Sequence, residues 1–307
     1  NSGSQKNSQT KGELLFYLFL FMGLWLYLWL RATFTQMTHD ETANFFRFVQ
    51  TGDFLPYGLD SSATNHLLNS FLAWIFYSLF GAEPFVLRLG NVLFFPVFFY
   101  FLVKLAGLLN SKLFRIGFVL VLAFTHHLIE FFAMSRGYGH SMALLLGAIW
   151  FLIQSFKLPT FKNYTLSLLF AALALSANLT LLNSVLLIIF FLALRIVISS
   201  EPKIKMPWKN LASILIFGIA PVVFFVKYLF RLKAKGDLYY GEQSGFWEIT
   251  VKSLNSTMLD PGWPIAEIFI AIYLVLIFAA GVYLFFRRFN CELFFDARLL
   301  FFYFLLG

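Results

Sequence analysis

Residues 14–30 read LLFYLFLFMGLWLYLWL, an apolar run with no charged residue in it. An α-helix rises 1.5 Å per residue, so a run of this length approaches the ~20 residues that cross a ~30 Å hydrocarbon core. Trp25, Tyr27 and Trp29 gather toward its far end, as amphipathic rings do at a membrane–water interface. A cleaved leader would have a shorter apolar core and a small-residue cleavage site; neither is evident, so the run is expected to be a retained membrane span. The polar residues 1–13 predict a disordered cytoplasmic N-terminus, and 14–307 predict one transmembrane domain.

The composition agrees. Hydrophobic residues make up 60% of the chain and charged residues 12%, with 43 phenylalanines; the mean hydropathy is +0.78. These values exclude an ordinary soluble domain. One cysteine, Cys291, excludes an internal disulfide framework and a cysteine-based metal site. The net charge of +8 sits in short basic clusters between apolar runs. That pattern orients a protein in a membrane and predicts no nucleic-acid partner.

The apolar runs fall near 14–30, 67–81, 86–104, 115–133, 138–156, 164–178, 180–198, 211–231, 264–286 and from about 297 onward. Basic clusters lie at Lys6/Lys11, Lys104/Lys112/Arg115, Lys157/Lys162, Lys203/Lys205/Lys209 and Arg287/Arg288/Arg298. All five become cytoplasmic if 67–81, short for a span, is an interfacial or re-entrant helix. The fold class is then an all-α integral membrane bundle with many spans. Its first external loop is long, about 31–85, and carries interfacial helices; a second external loop spans about 232–262. The chain stops within the apolar run Leu299–Leu306, so further spans are expected beyond it. Abundant Phe, Asn and Lys lean bacterial, which would make the outer face periplasmic.

On this topology the polar residues not needed for orientation collect on the outer face. Thr38-His39-Asp40-Glu41 opens a helix, with Thr38 and Glu41 spaced as a capping box. Asp40 aligns with Asn44 and Arg47 on one stripe, and residues 40 and 41 point about 100° apart. Asp40 is thus the carboxylate expected to face a ligand or a reacting atom, with pairing to Arg47 as the simpler reading. His66, at the mouth of the short helix, fits a metal ligand, an acid–base group or a structural hydrogen bond equally. His126 and Glu130 share a helix face. Arg136, between glycines at the start of a later run, suits bidentate phosphate binding. The loop 232–262, with Lys235, Tyr239, Tyr240 and Trp247, has a composition suited to a sugar or isoprenoid-phosphate site.

The stretch 37–94, with Asp40-Glu41, Asn65-His66-Leu67-Leu68, Phe80-Gly81 and Arg88-Leu89 in order, resembles the first external loop of GT-C polytopic glycosyltransferases. Protein O-mannosyltransferases and aminoarabinose transferases are the most similar in pattern. MSRGYGHSMALLL, with Arg136 and Tyr138, resembles the family's later Arg-x-Tyr segment, and the resemblance covers roughly residues 14–200. Leu67-Leu68 stands in place of the family's Pro-Pro, and His140-Ser141 stands where an acidic residue is usual. The resemblance implies an inverting transferase moving a sugar from a polyprenyl-phosphate donor to a lipid, glycan or protein acceptor outside the cytoplasm. It makes Asp40 the general base, with Glu41 beside it. Arg136, with Arg88 or Lys235, would hold the leaving phosphate; Tyr138 and His66 would bind substrate, or His66 a divalent metal ion. Two other readings compete: a non-catalytic GT-C-like subunit of a larger membrane complex, and a transporter or flippase of lipid-linked anions.

Overall fold

The computed structural model describes residues 9–58, 62–198 and 207–237, with the isolated positions Ile268, Ile272, Val275, Leu276 and Ala279. The described residues are helical, with no strand among them. The chain divides into two units, Asn1–Leu232 with Gly307, and Lys233–Leu306. The helical bundle and the cluster around Asp40 belong to the first; the expected runs 264–286 and 297–307 fall outside the described residues except for the isolated positions.

Among the described residues five helices are long and apolar enough to cross a membrane: Lys11–Phe34, Pro84–Ala106, Gly137–Lys157, Leu179–Ile196 and Trp208–Ala234. Helix α1 is Lys11–Phe34, started by Thr10, whose hydroxyl accepts from the Glu13 backbone N–H. It buries Tyr17, Leu24, Leu28 and Ala32 and leaves Leu18, Phe19 and Leu26 exposed. A helix apolar on its exposed face as well as its buried one is suited to lipid. The expectation of disorder through residue 13 is corrected here. Lys11–Glu13 form the first turn of α1, and Glu13 is buried by a bidentate bond from Arg115 at 2.7 and 2.9 Å. The Tyr17 hydroxyl donates to the same carboxylate at 3.0 Å.

A short helix α2, His39–Asn44, runs into a widened turn at Phe45–Val49. Helix α3, Leu67–Phe80, has 14 residues, too few for a span at 1.5 Å each. Helix α4, Pro84–Ala106, carries Pro96 in its interior. Proline has no N–H to give the carbonyl four residues back, which is that of Val92. The Trp25 indole N–H of α1 donates to that carbonyl at 3.1 Å. The ring of Phe21 stacks on Phe95 with centroids 5.9 Å apart. The sequence puts an interruption in α4, and its neighbour supplies the missing donor.

The run 115–133 does not form the single span expected of it. It divides into α5, Lys112–Ala123, of 12 residues, then α6, His126–Glu130, and a 3₁₀ turn at Phe131–Ala133. The division brings Glu130 to α1, where it accepts from the Tyr27 hydroxyl at 2.6 Å and pairs with Arg31. The remaining helices with described bounds are α7 (Gly137–Lys157), α8 (Phe161–Ala177), α9 (Leu182–Ile198), α10 (Pro207–Ser213) and α11 (Ala220–Ala234). A widened turn at Ile214–Ile219 joins the last two. Pro221, which cannot donate a helix hydrogen bond, lies two residues past the end of that turn. Helices α7 and α8 are bound across their contact by the Ser167 hydroxyl, which donates to the Ala148 carbonyl at 2.9 Å.

Candidate functional site

The cluster begins at the capping box. The Thr38 hydroxyl accepts from the Glu41 N–H at 3.3 Å, and the Glu41 carboxylate accepts from the Thr38 N–H at 2.9 Å. That carboxylate does more than cap. It takes the Arg88 guanidinium in a two-pronged bond at 2.8 and 2.9 Å and accepts from the Ser135 backbone N–H at 2.6 Å. Arg88 gives its other N–H groups to the carbonyls of Ala32, Thr35 and Gln36 at 2.8–3.0 Å and to the Thr35 hydroxyl at 3.1 Å. Those carbonyls are at or just past the end of α1, where the helix itself supplies no donors. Burial opposes ionisation of Glu41, but Arg88 and the Thr38 and Ser135 N–H groups outweigh it and hold the pKa below its ordinary value.

Two sequence expectations change accordingly. Arg88 is 1% exposed with every N–H group engaged, so no donor remains for a leaving phosphate. Glu41 is equally enclosed and serves as a tie between α2, α4 and the turn at Met134–Arg136. Asp40 is the opposite. The side chain of Asp40 is 58% exposed, and its Oδ2 lies 2.9 Å from Arg136 Nη1. The contact is an ion pair without the alignment of a hydrogen bond. Asp40 therefore pairs with Arg136, where the simpler reading of the sequence has Arg47 as its partner. Asn44, expected on the same stripe, turns inward to the Ser70 hydroxyl at 3.3 Å. His39 is exposed, its Nδ1 3.7 Å from the Asp40 carboxylate.

Arg136 also lies over the Tyr138 ring, 5.6 Å from its centroid, and Tyr138 meets the His66 ring edge-on at 5.0 Å. Asp40, Arg136, Tyr138 and His66 thus converge at one end of the bundle, carried by α2, the start of α7 and the start of α3. His66 Nδ1 lies 2.9 Å from the Ala177 carbonyl at the end of α8. A carbonyl only accepts, so Nδ1 holds the hydrogen and Nε2 keeps its lone pair. Burial, and then the Arg136 charge, pushes the His66 pKa down to about 4.

The glycines flanking Tyr138 are explained by close approach. A Cβ on Gly137 would sit 1.9 Å from the Ala177 oxygen and 2.7 Å from His66 Cβ. On Gly139 it would sit 2.9 Å from both Asn91 Oδ1 and the Phe131 oxygen. Only hydrogen fits at either place.

Beneath the cluster lies a buried polar layer that the sequence reading did not single out. Asn91 donates to Asn69 at 2.7 Å, and Asn69 donates to the Ser135 carbonyl at 3.2 Å. Ser70 donates to Asn65 at 2.9 Å, and the Asn65 amide donates to the Phe54 carbonyl at 2.9 Å. Asn69 in an apolar short helix and Asn91 in an apolar span were the available signals, since polar residues at membrane depth need partners. His140 is wholly buried, edge-on to Phe94 at 4.6 Å.

Lys235 lies just beyond α11 and belongs to the second unit; residues 238–262 of the loop, with Tyr239, Tyr240 and Trp247, are outside the described residues. The side chain of His126 is outside them too. Among the described residues no three His, Cys, Asp or Glu gather as metal ligands would, and His66 has one ring nitrogen committed to Ala177.

No family model, no curated protein and no solved structure matches the chain. The site is therefore defined by its geometry: an exposed carboxylate, a guanidinium beside it, and a neutral imidazole with one free lone pair. Such a set can bind an anion, accept a proton and orient a hydroxyl.

Proposed function

We propose that this chain is a membrane transferase of the GT-C type, moving a sugar from a polyprenyl phosphate to a hydroxyl acceptor at the end of the bundle that carries Asp40. The observation that carries the reading is the Asp40–Arg136 pair, 2.9 Å apart, on the exposed end of an apolar helical bundle. The donor phosphate binds by drawing Arg136 away from Asp40, since a guanidinium exchanges one anionic partner for another with little reorganisation. Asp40, released, accepts the proton of the acceptor hydroxyl as that oxygen bonds to the anomeric carbon. The bond from that carbon to the phosphate oxygen breaks, its electron pair stays on the phosphate, and Arg136 stabilises the charge. His66 Nε2 accepts a hydrogen bond from a substrate hydroxyl, and Tyr138 keeps Arg136 and His66 in register. The basic clusters support an orientation with this end away from the cytoplasm, and the abundance of Phe, Asn and Lys supports a bacterial inner membrane with this end toward the periplasm.

The test is Asp40→Asn in reconstituted protein supplied with polyprenyl-phosphate mannose or aminoarabinose and a membrane-lipid extract as acceptor. Loss of polyprenyl phosphate release by a factor of about 10²–10⁴ is expected for a removed general base. Undiminished release would overturn the role of Asp40. No release by the wild type with either donor would favour the reading as a non-catalytic subunit.

A further inference from the structure

The long helix Trp208–Ala234 carries a second feature, which shares no residue with the Asp40 cluster and does not rest on the transferase reading. Leu215, Ile219, Val223, Lys227 and Arg231 recur every four residues along it, so they follow one ridge. The first three are exposed aliphatic side chains, and Lys227 is exposed beyond them. Beside this ridge runs an open groove of about 630 Å³. Tyr57, from the segment between α2 and α3, forms its other wall. The Tyr57 hydroxyl donates to the Phe224 carbonyl at 2.8 Å, and its ring stands edge-on to Phe224 at 5.2 Å. Arg231 lies over the same ring at 5.9 Å and donates to the Gly58 carbonyl at 3.3 Å. The groove is thus apolar along its length with Lys227 at one end, and Arg231 lies one turn beyond its lining.

We propose that this groove holds an anionic phospholipid, with one acyl chain along Leu215, Ile219 and Val223 and its phosphate at Lys227 and Arg231. Three properties of the groove select that occupant. From Leu215 to Lys227 the helix rises about 18 Å, close to one leaflet of a ~30 Å hydrocarbon core, so chain and headgroup reach their matching surfaces together. Cations at the end of an apolar ridge suit a phosphate at the membrane surface, and Tyr57 supplies the amphipathic ring of an interfacial position. An apolar helix of another protein laid in the same groove would press its surface on Lys227 and leave that charge without water or a partner, which is costly. A phospholipid with net negative charge satisfies both parts of the groove.

The experiment is native mass spectrometry of the full chain released from nanodiscs of equal phosphatidylglycerol and phosphatidylcholine. The wild type should retain phosphatidylglycerol in preference. Lys227→Ala, at an exposed position that leaves the fold intact by circular dichroism, should lower that preference about five-fold, as expected for one interfacial cation. Ile219→Trp, which fills the groove, should lower retention of the lipid while leaving the cations in place. Equal retention of the two lipids, or a preference unchanged in Lys227→Ala, would overturn the proposal. So would displacement of the lipid by an equal concentration of glycerophosphoglycerol, which has the headgroup and no chains. Displacement by stoichiometric undecaprenyl phosphate would reassign the groove to a polyprenyl carrier and overturn it as a phospholipid site.

Discussion

Asp40 and Glu41 are adjacent acids with opposite physical situations, and their substitution should separate them. Glu41 is enclosed with Arg88, and both side chains are within 1% of full burial. Removing one charge of such a pair leaves the other buried and unpaired, at a cost of about 3–5 kcal/mol. Glu41→Gln should therefore lower the thermal unfolding temperature markedly in detergent. Asp40→Asn breaks a pair whose carboxylate is 58% exposed, though its guanidinium is 13% exposed, so water reaches one partner and the cost falls below that of the enclosed Glu41–Arg88 pair. It should lower the unfolding temperature clearly less than Glu41→Gln while acting on transfer. A Glu41→Gln protein as stable as the wild type would show that Arg88 finds another counter-charge. The capping box was legible because its spacing is local. The Arg88 bond was not, because a separation of 47 residues carries no periodic signal.

At the scale of elements, interruptions in the helices are matched by partners elsewhere. Pro96 frees the Val92 carbonyl, and Trp25 supplies its donor. Trp25→Phe should cost about 1–3 kcal/mol, the penalty for a buried acceptor left unmet. Pro96→Ala restores a backbone N–H to α4, so Trp25→Phe in that background should cost clearly less. A double-mutant cycle by chemical denaturation measures the difference, and additive effects would sever the link between the two residues. The break in 115–133 has the same character. A run read only for hydropathy looks continuous, but Glu130 within it requires partners, and Tyr27 and Arg31 on α1 provide them.

For the molecule as a whole, His66 couples stability to pH. It joins the start of α3 to the end of α8 through the Ala177 carbonyl. Its pKa falls from 6.5 to about 4 on folding. Above pH 6.5 both folded and unfolded chains hold it neutral and its contribution is complete. As pH falls toward 4 the unfolded chain takes up a proton that the folded chain refuses, so stability is lost across that window. The loss should reach about 2 kcal/mol by pH 5. Thermal unfolding at pH 8 and pH 5 measures it, and His66→Asn, which keeps a donor for Ala177, should flatten the dependence. An unfolding temperature independent of pH over that range in the wild type would overturn this account. Glu41, held below its ordinary 4.5, adds its own loss only at lower pH.

The sequence alone determined the class of molecule. Apolar runs of membrane length, 60% hydrophobic composition and basic clusters between runs are properties summed over many neighbouring residues, so they need no knowledge of what packs on what. The same locality made the Thr38–Glu41 cap and the shortness of 67–81 readable. Only the tertiary structure decided which of the polar residues face outward. Arg88 and Arg136 look alike in sequence, yet one has all its donors absorbed by Glu41 and the end of α1 while the other meets an exposed carboxylate. In a low-dielectric bundle every buried charge must find a partner, and partners are allotted by the crossing of helices distant in the chain. Which ionisable groups remain open for chemistry is what is left after that allotment, and it is settled only when the bundle has closed.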